Sequence, residues 1–377
     1  MNRVYAVAAK RTPVANRNGT LKHIGAWQLG AAVINAALVE SAIQPTDVDA
    51  VVMGNALYAG GNPARLAALE AGLPPPVPAQ TVDTQCCSGL DAIISSARII
   101  QSGSAQIVVA GGLESYSRAP QRARKVARDA EHFEPYDRPP FSPWPQRDPD
   151  MLESAAQLAA EQDVSRDEQA RYAILSHRKA LECASNNDEI VSIGEIDADS
   201  FTRRLDERIC QRAGVVAGNS ETGLTNATIA IEADAAAVVV LVSESVATRL
   251  NARSNSIEFI EGQAVGCDPA SPALAPIAAT RALLDSQNLG AGDLSHVELM
   301  EAFAVQAMVC ERECKFDSAT VNRGGGALAR GHPIGASGAI LAVRLWHEMQ
   351  VADSGDFGLA TIAAAGGLGT AALWRKC

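Results

Sequence analysis

No apolar run in this 377-residue chain approaches the roughly 20 residues that span a bilayer, so a membrane helix is not expected. The opening stretch, Met1 to Val14, lacks the long apolar segment and small-residue cleavage site of a secretory signal. Positive charge is short as well: 32 Lys and Arg stand against 43 Asp and Glu, a net charge of −11. Such a chain is poorly suited to neutralising phosphates, which argues against general nucleic-acid binding. The eight cysteines come without a secretory context and read as cytosolic thiols, not as a disulfide framework. Apolar residues, at 47% against 20% charged, allow a large core and exclude wholesale disorder. At roughly 150 residues per domain the length implies two or three folded units. A cytoplasmic α/β protein, with enzyme as the leading expectation, is what these bounds leave.

Strand-like and helix-like segments alternate. Val4 to Ala9 and Val48 to Gly54 read as short buried strands, and Trp27 to Ser41 carries helical apolar spacing. Ala92 to Gln101 reads as a helix leading to a strand, Gln106 to Val109, and a turn at Ala110-Gly111-Gly112. The alternation predicts a buried mixed or parallel sheet with helices on both faces.

From Leu113 to about Thr225 that rhythm breaks. Pro135, Pro139, Pro140, Pro143, Pro145 and Pro149 exclude regular structure over their stretch. An amphipathic helix over Met151 to Asp163 follows, and Ser165 with Glu168 forms a capping-box pattern opening a helix to about Ala184. The segment reads as an excursion inserted into a first α/β unit, with a strand over Ala235 to Ser243 returning the chain to the sheet. In the final third, Ala336-Ser337-Gly338, a helix and a strand ending at Ala365-Gly366-Gly367 repeat the earlier order of Cys87-Ser88-Gly89, helix, strand and Ala110-Gly111-Gly112. An internal duplication follows.

Two local patterns carry chemistry. In Gln85-Cys86-Cys87-Ser88-Gly89-Leu90, small residues after a cysteine permit a tight strand-to-helix turn, and the helix N-terminus favours a thiolate nucleophile. The bland alternative is a buried cysteine acting as a small hydrophobe. In Gly331-His332-Pro333-Ile334-Gly335 a histidine is wedged into a defined loop, where its ring can donate to an oxyanion or accept a proton.

With Arg11-Thr12-Pro13, Met53-Gly54-Asn55, Asn62-Pro63-Ala64-Arg65, Gly111-Gly112-Leu113-Glu114-Ser115, Ala217-Gly218-Asn219 and Glu301-Ala302-Phe303, these patterns make the chain resemble a thiolase nearly end to end. Thiolases form or cleave 3-ketoacyl-CoA through an acyl-cysteine. The resemblance implies an α/β thiolase fold, two similar five-layer α/β/α/β/α halves with an inserted loop domain. It implies an N-terminal half over 1–112 and 226–248, a loop domain over 113–225 and a C-terminal half over 249–377. Carried over by position, Cys86 falls on the acylated nucleophile and His332 on the histidine that polarises the thioester. Met300, Ala302, Phe303, Ala365, Gly366 and Arg208 fall on substrate-binding positions. No cofactor is implied beyond the acyl-CoA or phosphopantetheine thioester that serves as substrate. The expected partners are an acyl-CoA or acyl carrier protein and a second copy in a homodimer, a tetramer being possible.

Two departures redirect the reading. The family's Asn before Glu-Ala-Phe, which holds an oxyanion water, is Met300, and the second cysteine, the general base, is Ala363. Alanine cannot move a proton. General acid–base catalysis contributes about 10²–10⁴ in rate, so ordinary thiolysis is expected to be severely impaired. An acyltransferase loading Cys86 without carbon deprotonation is the first reading. The alternatives are a thioester hydrolase or a non-catalytic acyl-CoA-binding or scaffold subunit. Glu301 is a weak replacement base because the family keeps a glutamate there. Arg118, Arg122, Arg124, Lys125 and Arg128 form a cationic run that faces solvent, the CoA phosphates or an acidic acyl carrier protein. Glu261 stands about where the family meets the pantetheine with a serine. Cys310 and Cys314 at i, i+4 read as core, and Cys377 as a frayed terminus.

Overall fold

The computed structural model describes residues 2–126, 131–183 and 188–377. Strand β1 (Val4–Arg11) is buried on both faces, with a two-residue continuation, β2 (Ala15–Asn16). Helix α1 (Ala26–Glu40), strand β3 (Ala50–Gly54), helix α2 (Pro63–Glu70) and strand β4 (Ala79–Val82) follow. Helix α2 starts with Pro63 directly after Asn62, whose side chain accepts from Arg65 N at 3.1 Å, so ring and cap both favour a helix start there. Helix α3 (Ser88–Gln101) begins four residues earlier than the apolar spacing from Ala92 indicates.

Strand β5 runs uninterrupted over Ile107–Ser115. Ala110-Gly111-Gly112 is therefore strand, not turn. The glycines are there for close approach: a Cβ on Gly111 would collide with the carbonyl oxygen of Ala237, and one on Gly112 with that of Gly335.

The excursion contains a small exposed ribbon, β6 (Ala123–Lys125) with β7 (Phe133–Pro135), so Pro135 ends a short strand despite the expectation of no regular structure. Helix α4 (Met151–Glu161) is capped by Asp150, and α5 (Arg166–Cys183) opens on the expected box, Ser165 N donating to Glu168 Oε2 at 2.8 Å. Ala184, its expected end, lies outside the described residues, as does Arg128. Helix α6 (Glu207–Arg212) and strands β8 (Val215–Ala217) and β9 (Leu224–Thr225) complete the segment. Strand β10 (Ala233–Ser243) returns to the sheet and leads to α7 (Glu244–Arg249).

The last third comprises β11 (Ile257–Gly266), α8 (Ala275–Gln287), β12 (Leu294–Leu299), α9 (Ala304–Cys314), α10 (Ala327–Arg330), α11 (Ile334–Glu348), β13 (Phe357–Ala364) and β14 (Leu368–Lys376). The duplication is plainest in strand order. In the first half β1 pairs antiparallel with β10, β10 antiparallel with β5, β5 parallel with β3, and β3 parallel with β4. In the second, β11 pairs antiparallel with β14, β14 antiparallel with β13, and β13 parallel with β12. A parallel bridge from Val297 to Val321 stands where β4 stands in the first half. The halves join where β1 meets β11, Val4 opposite Phe259. The glycine pairs are not equivalent, since Gly366 and Gly367, at φ +83° and +79°, form the β13–β14 turn.

The five layers belong to the molecule as a whole. Helices α3 and α11 lie in one central core between the two halves of the continuous ten-stranded sheet, in a cluster of Leu90, Ile93, Leu341 and Trp346 with Val239 and Trp374. Helices α1 and α2 cover the outer face of the first half, and α8 and α9 that of the second. The central helices meet backbone to backbone: a Cβ on Gly89 would lie 2.7 Å from Ala339 N, and one on Gly338 2.6 Å from Leu90 N. That contact sets the Cys86 turn beside the His332 loop. Among the described residues no helix is long and apolar enough to cross a membrane.

Candidate active site

Cys86 sits in a single 3₁₀ turn, Gln85–Cys87, directly before α3. Gln85, just ahead of it, has φ +57°, a left-handed conformation that costs a non-glycine residue free energy and persists only where surroundings enforce it. Asp83 supports the bend by accepting from Gln85 N at 3.0 Å. Thr84 donates to Asp91 Oδ2 at 2.5 Å, and Asp91 Oδ1 accepts from Thr370 of β14 at 2.8 Å, so the second half of the molecule braces the turn.

His332 arrives from the other half. Its backbone N–H donates to Ile231 O at 2.7 Å, and its Nε2 lies 3.2 Å from Cys86 Sγ across 246 residues of chain. Nδ1 lies 2.6 Å from Ser337 Oγ in the first turn of α11. Burial pushes the Cys86 thiol up to about 12 and His332 down to about 4. The resting pair is therefore a neutral thiol beside a neutral imidazole. The expected helix-stabilised thiolate does not form, because loss of water outweighs the helix end. The backbone amides of Ala365 and Cys86 pull its pKa down, without cancelling the effect of burial.

These groups open onto a cavity of about 370 Å³. Ala302, Phe303, Ala363, Ala364 and Ala365 line it, as do Leu57, Tyr116, Ile229 and Gln306, which sequence reasoning did not single out. Helix α4 of the excursion supplies Met151, Ser154 and Ala155 to the wall. Of the cationic run, Arg122 reaches the cavity and stacks over Tyr58 at 5.1 Å. Arg118 is exposed, Arg124 pairs with Glu134 at 3.2 Å, and Lys125 lies over Phe133. Arg138, missed in the sequence, also lines the cavity and is held by Asp148 at 2.6 Å.

Other expected site residues lie elsewhere. Met300 is 2% exposed and belongs to the central core, its apolar side chain packed away from the Cys86 cavity. Gly366 lies one residue beyond the lining, at the β13–β14 turn. Arg208 is exposed on α6, away from the cavity lining. Glu261 on β11 is 3.5 Å from Arg98 and does not line the cavity. Glu301 is a buried anchor: Ser176 donates to it at 2.7 Å, Asn322 at 2.7 Å and Leu328 N at 3.2 Å, so it is not free to serve as a base. Cys310 and Cys314 are buried in the core between α9 and the second sheet. Cys377 is half-buried and accepts from Ser256 Oγ at 3.5 Å, so it is not frayed. All eight cysteines are free thiols, and no metal-binding cluster occurs among the described residues.

Glu114 is fully buried, and its carboxylate accepts from Asn55 Nδ2 at 2.7 Å, Ala56 N at 2.9 Å and Gly335 N at 3.1 Å. It ties the loop after β3 to the start of α11, and burial pushes it up to about 7.

Comparison with known proteins agrees with this geometry. Residues 4–245 match the family model "Thiolase, N-terminal domain" and residues 255–376 match "Thiolase, C-terminal domain". The chain is 38% identical over 382 residues to a Bacillus subtilis (strain 168) protein named "Putative acetyl-CoA C-acetyltransferase YhfS", covering 100% of this chain and 99% of that protein. It is 34% identical to the Staphylococcus aureus protein of the same description, VraB, with both chains covered in full. The crystal structure of the Bacillus anthracis acetyl-CoA acetyltransferase superposes with a TM-score of 0.92 at 29% identity, covering 100% of this chain and 99% of that one.

Proposed function

The chain belongs to the thiolase family, and from that premise we propose that it is an acyltransferase that takes the acyl group of an acyl-CoA, or of an acyl carrier protein, onto Cys86. The observation that carries the reading is the 3.2 Å approach of His332 Nε2 to Cys86 Sγ at the floor of the cavity. Since both groups start neutral, the thiol proton passes to Nε2 as sulfur attacks the thioester carbonyl, and the imidazolium returns it to the departing CoA sulfur. The backbone N–H groups of Cys86 and Ala365, whose influence lowers the thiol pKa, are the donors available to the carbonyl oxygen of the group the sulfur acquires. Arg122 at the cavity supplies a cation for the anionic part of CoA.

The second half-reaction differs from that of an ordinary thiolase. Ala363 lines the cavity where the family pattern calls for a base, and a methyl group takes no proton from carbon. The acyl acceptor is therefore an oxygen, nitrogen or sulfur nucleophile, or a malonyl-type donor whose decarboxylation supplies the carbanion. Incubation with acetyl-CoA followed by intact-mass measurement tests the proposal. A mass gain of one acetyl group mapped to Cys86 supports it, and no acylation across several acyl-CoAs overturns it.

A further inference from the structure

Ser337, whose Oγ meets His332 Nδ1, also lines a second chamber of about 20 Å³, walled by Glu298, Arg330 and Arg344 together with the apolar Met300, Ile340 and Leu341. Its volume holds one water molecule, and its polar wall is under-satisfied. Glu298 on β12 is 2% exposed, and its carboxyl has no hydrogen-bond partner among the described residues. Arg330 and Arg344 use their other nitrogens, Arg330 on the carbonyls of Gly324 and Gly325 and Arg344 on Glu189 and Glu348. The Nε of Arg344 finds no acceptor, and that of Arg330 has only the ion pair with Asp199 Oδ2 at 3.2 Å, without hydrogen-bond geometry. Buried polar groups left in this way call for a bridging water. Ser337 points to the same conclusion. For Nε2 of His332 to accept the thiol proton, Nδ1 must carry hydrogen and donate to Ser337 Oγ. The hydroxyl hydrogen of Ser337 then has the chamber as its outlet.

We propose that Glu298 is a positioning residue for His332, acting through one water in this chamber and the Ser337 hydroxyl. The inference rests on the acyl-transfer reading of the Cys86–His332 pair. Every hydrogen bond in the chain points one way: thiol to Nε2, Nδ1–H to Ser337 Oγ, Ser337 O–H to water, water to the Glu298 carboxyl. No proton has to leave the relay. When Nε2 takes the thiol proton, the charge on the imidazolium is met by the carboxylate at the far end. Burial holds Glu298 up at about 8, against the pull of Arg344 and Arg330 and with the push of Glu348 and Glu189. Below that pH Glu298 is a neutral acid and contributes orientation. Above it, the ionised carboxylate strengthens Nε2 as a base.

The test is the rate of Cys86 alkylation by iodoacetamide, mapped by mass spectrometry, between pH 6 and 9.5 in wild type and Glu298→Gln. The amide copies the protonated carboxyl in shape and charge. The wild-type to variant rate ratio should therefore stay near one below pH 7 and rise to about fivefold above pH 8.5, less than one pK unit of imidazole basicity. A role confined to folding gives a ratio independent of pH and overturns the proposal. Ser337→Ala cuts the relay at its other end and should lose the same alkaline gain; a wild-type profile in Ser337→Ala also overturns it. Wild-type Cys86 that resists alkylation at every pH overturns the acyl-transfer reading, and the relay with it.

Discussion

Cys87 Sγ lies 3.6 Å from the carbonyl oxygen of Ile362 in the fully buried central core, one residue along from a cysteine whose sulfur faces the cavity. The two thiols are divided by the turn into α3, and only Cys86 has an imidazole beside it. Cys86→Ala should abolish acyl loading from acetyl-CoA while leaving the fold intact. Cys87→Ala should retain most of the loading and lose about 1 kcal/mol of stability from the small void. Intact mass and thermal melting read the two effects separately. Loading that survives in Cys86→Ala and vanishes in Cys87→Ala would reverse the assignment.

Stability should fall as pH rises from about 7 to 8. Burial raises Glu114 to about 7 and Glu298 to about 8 from an unfolded value of 4.5. In that window the folded protein holds protons that the unfolded chain has released, and stability decreases with pH wherever the native state binds more protons. His332 and His177, each lowered to about 4 from 6.5, add little there because they are mostly neutral in both states. Melting temperatures measured in steps across the window should decline, and Glu298→Gln should flatten the decline. A rising limb would contradict both burial assignments.

The sequence made the outline of the site legible because its devices are local. A small-residue turn after Cys86 and a glycine and proline around His332 are signatures readable within ten residues, and the repeated turn–helix–strand order anticipated the two matching halves. What was hidden depends on contacts between distant segments. Gly111 and Gly112 look like a turn until Ala237 and Gly335 are seen pressing on them. Met300 looks like part of the site because its neighbours Ala302 and Phe303 are, yet its side chain turns into the central core. Glu298 had a faint signal, a lone carboxylate in the otherwise apolar Val297 to Met300, and no rule of spacing links it to Ser337.

Glu189 holds three parts of the fold together: it accepts from Arg11 of β1 at 2.6 Å and from Arg344 of α11 at 2.6 Å, and the two guanidinium groups hold its carboxyl well below the usual carboxylate range. Glu189→Gln leaves two buried cations short of an anion and should cost about 3–5 kcal/mol, the usual penalty for breaking a buried pair from one side. Chemical denaturation should show the loss at pH 7 and a smaller one as the pH falls toward 3, where the unfolded chain's Glu189 takes up a proton while the folded carboxylate stays charged, so that its contribution fades. Equal losses at both pH values would contradict the pairing.

In solution we expect a homodimer. Strand β4 (Ala79–Val82) ends the first sheet with one neighbour, β3, and leads straight into the Cys86 turn. A free edge beside the Cys86 turn invites pairing with a second copy. Light scattering at micromolar concentration should give about twice the chain mass of 39.4 kDa, and a monomer mass would contradict this.

The missing base gives the sharpest test. Ala363 lines the cavity together with Cys86 and His332, so in the proposed reading the thiol and imidazole serve acylation while the methyl group at 363 moves no carbon-bound proton. The wild-type protein should form the acetyl-enzyme yet fail to exchange the α-protons of acetyl-CoA with deuterated water. Glu301 cannot stand in, since it is locked by Ser176 and Asn322. Ala363→Cys adds a thiol at the cavity wall and should raise exchange by about tenfold or more, short of the 10²–10⁴ that a fully tuned acid–base group contributes. The shortfall has a structural reason: burial that pushes Cys86 up to about 12 will oppose ionisation of a second thiol beside it. Deuterium uptake followed by mass spectrometry measures both proteins under one condition. Brisk exchange by the unmodified protein would show that another side chain of the cavity removes the proton, and the loss of the base at residue 363 would then no longer explain the chemistry.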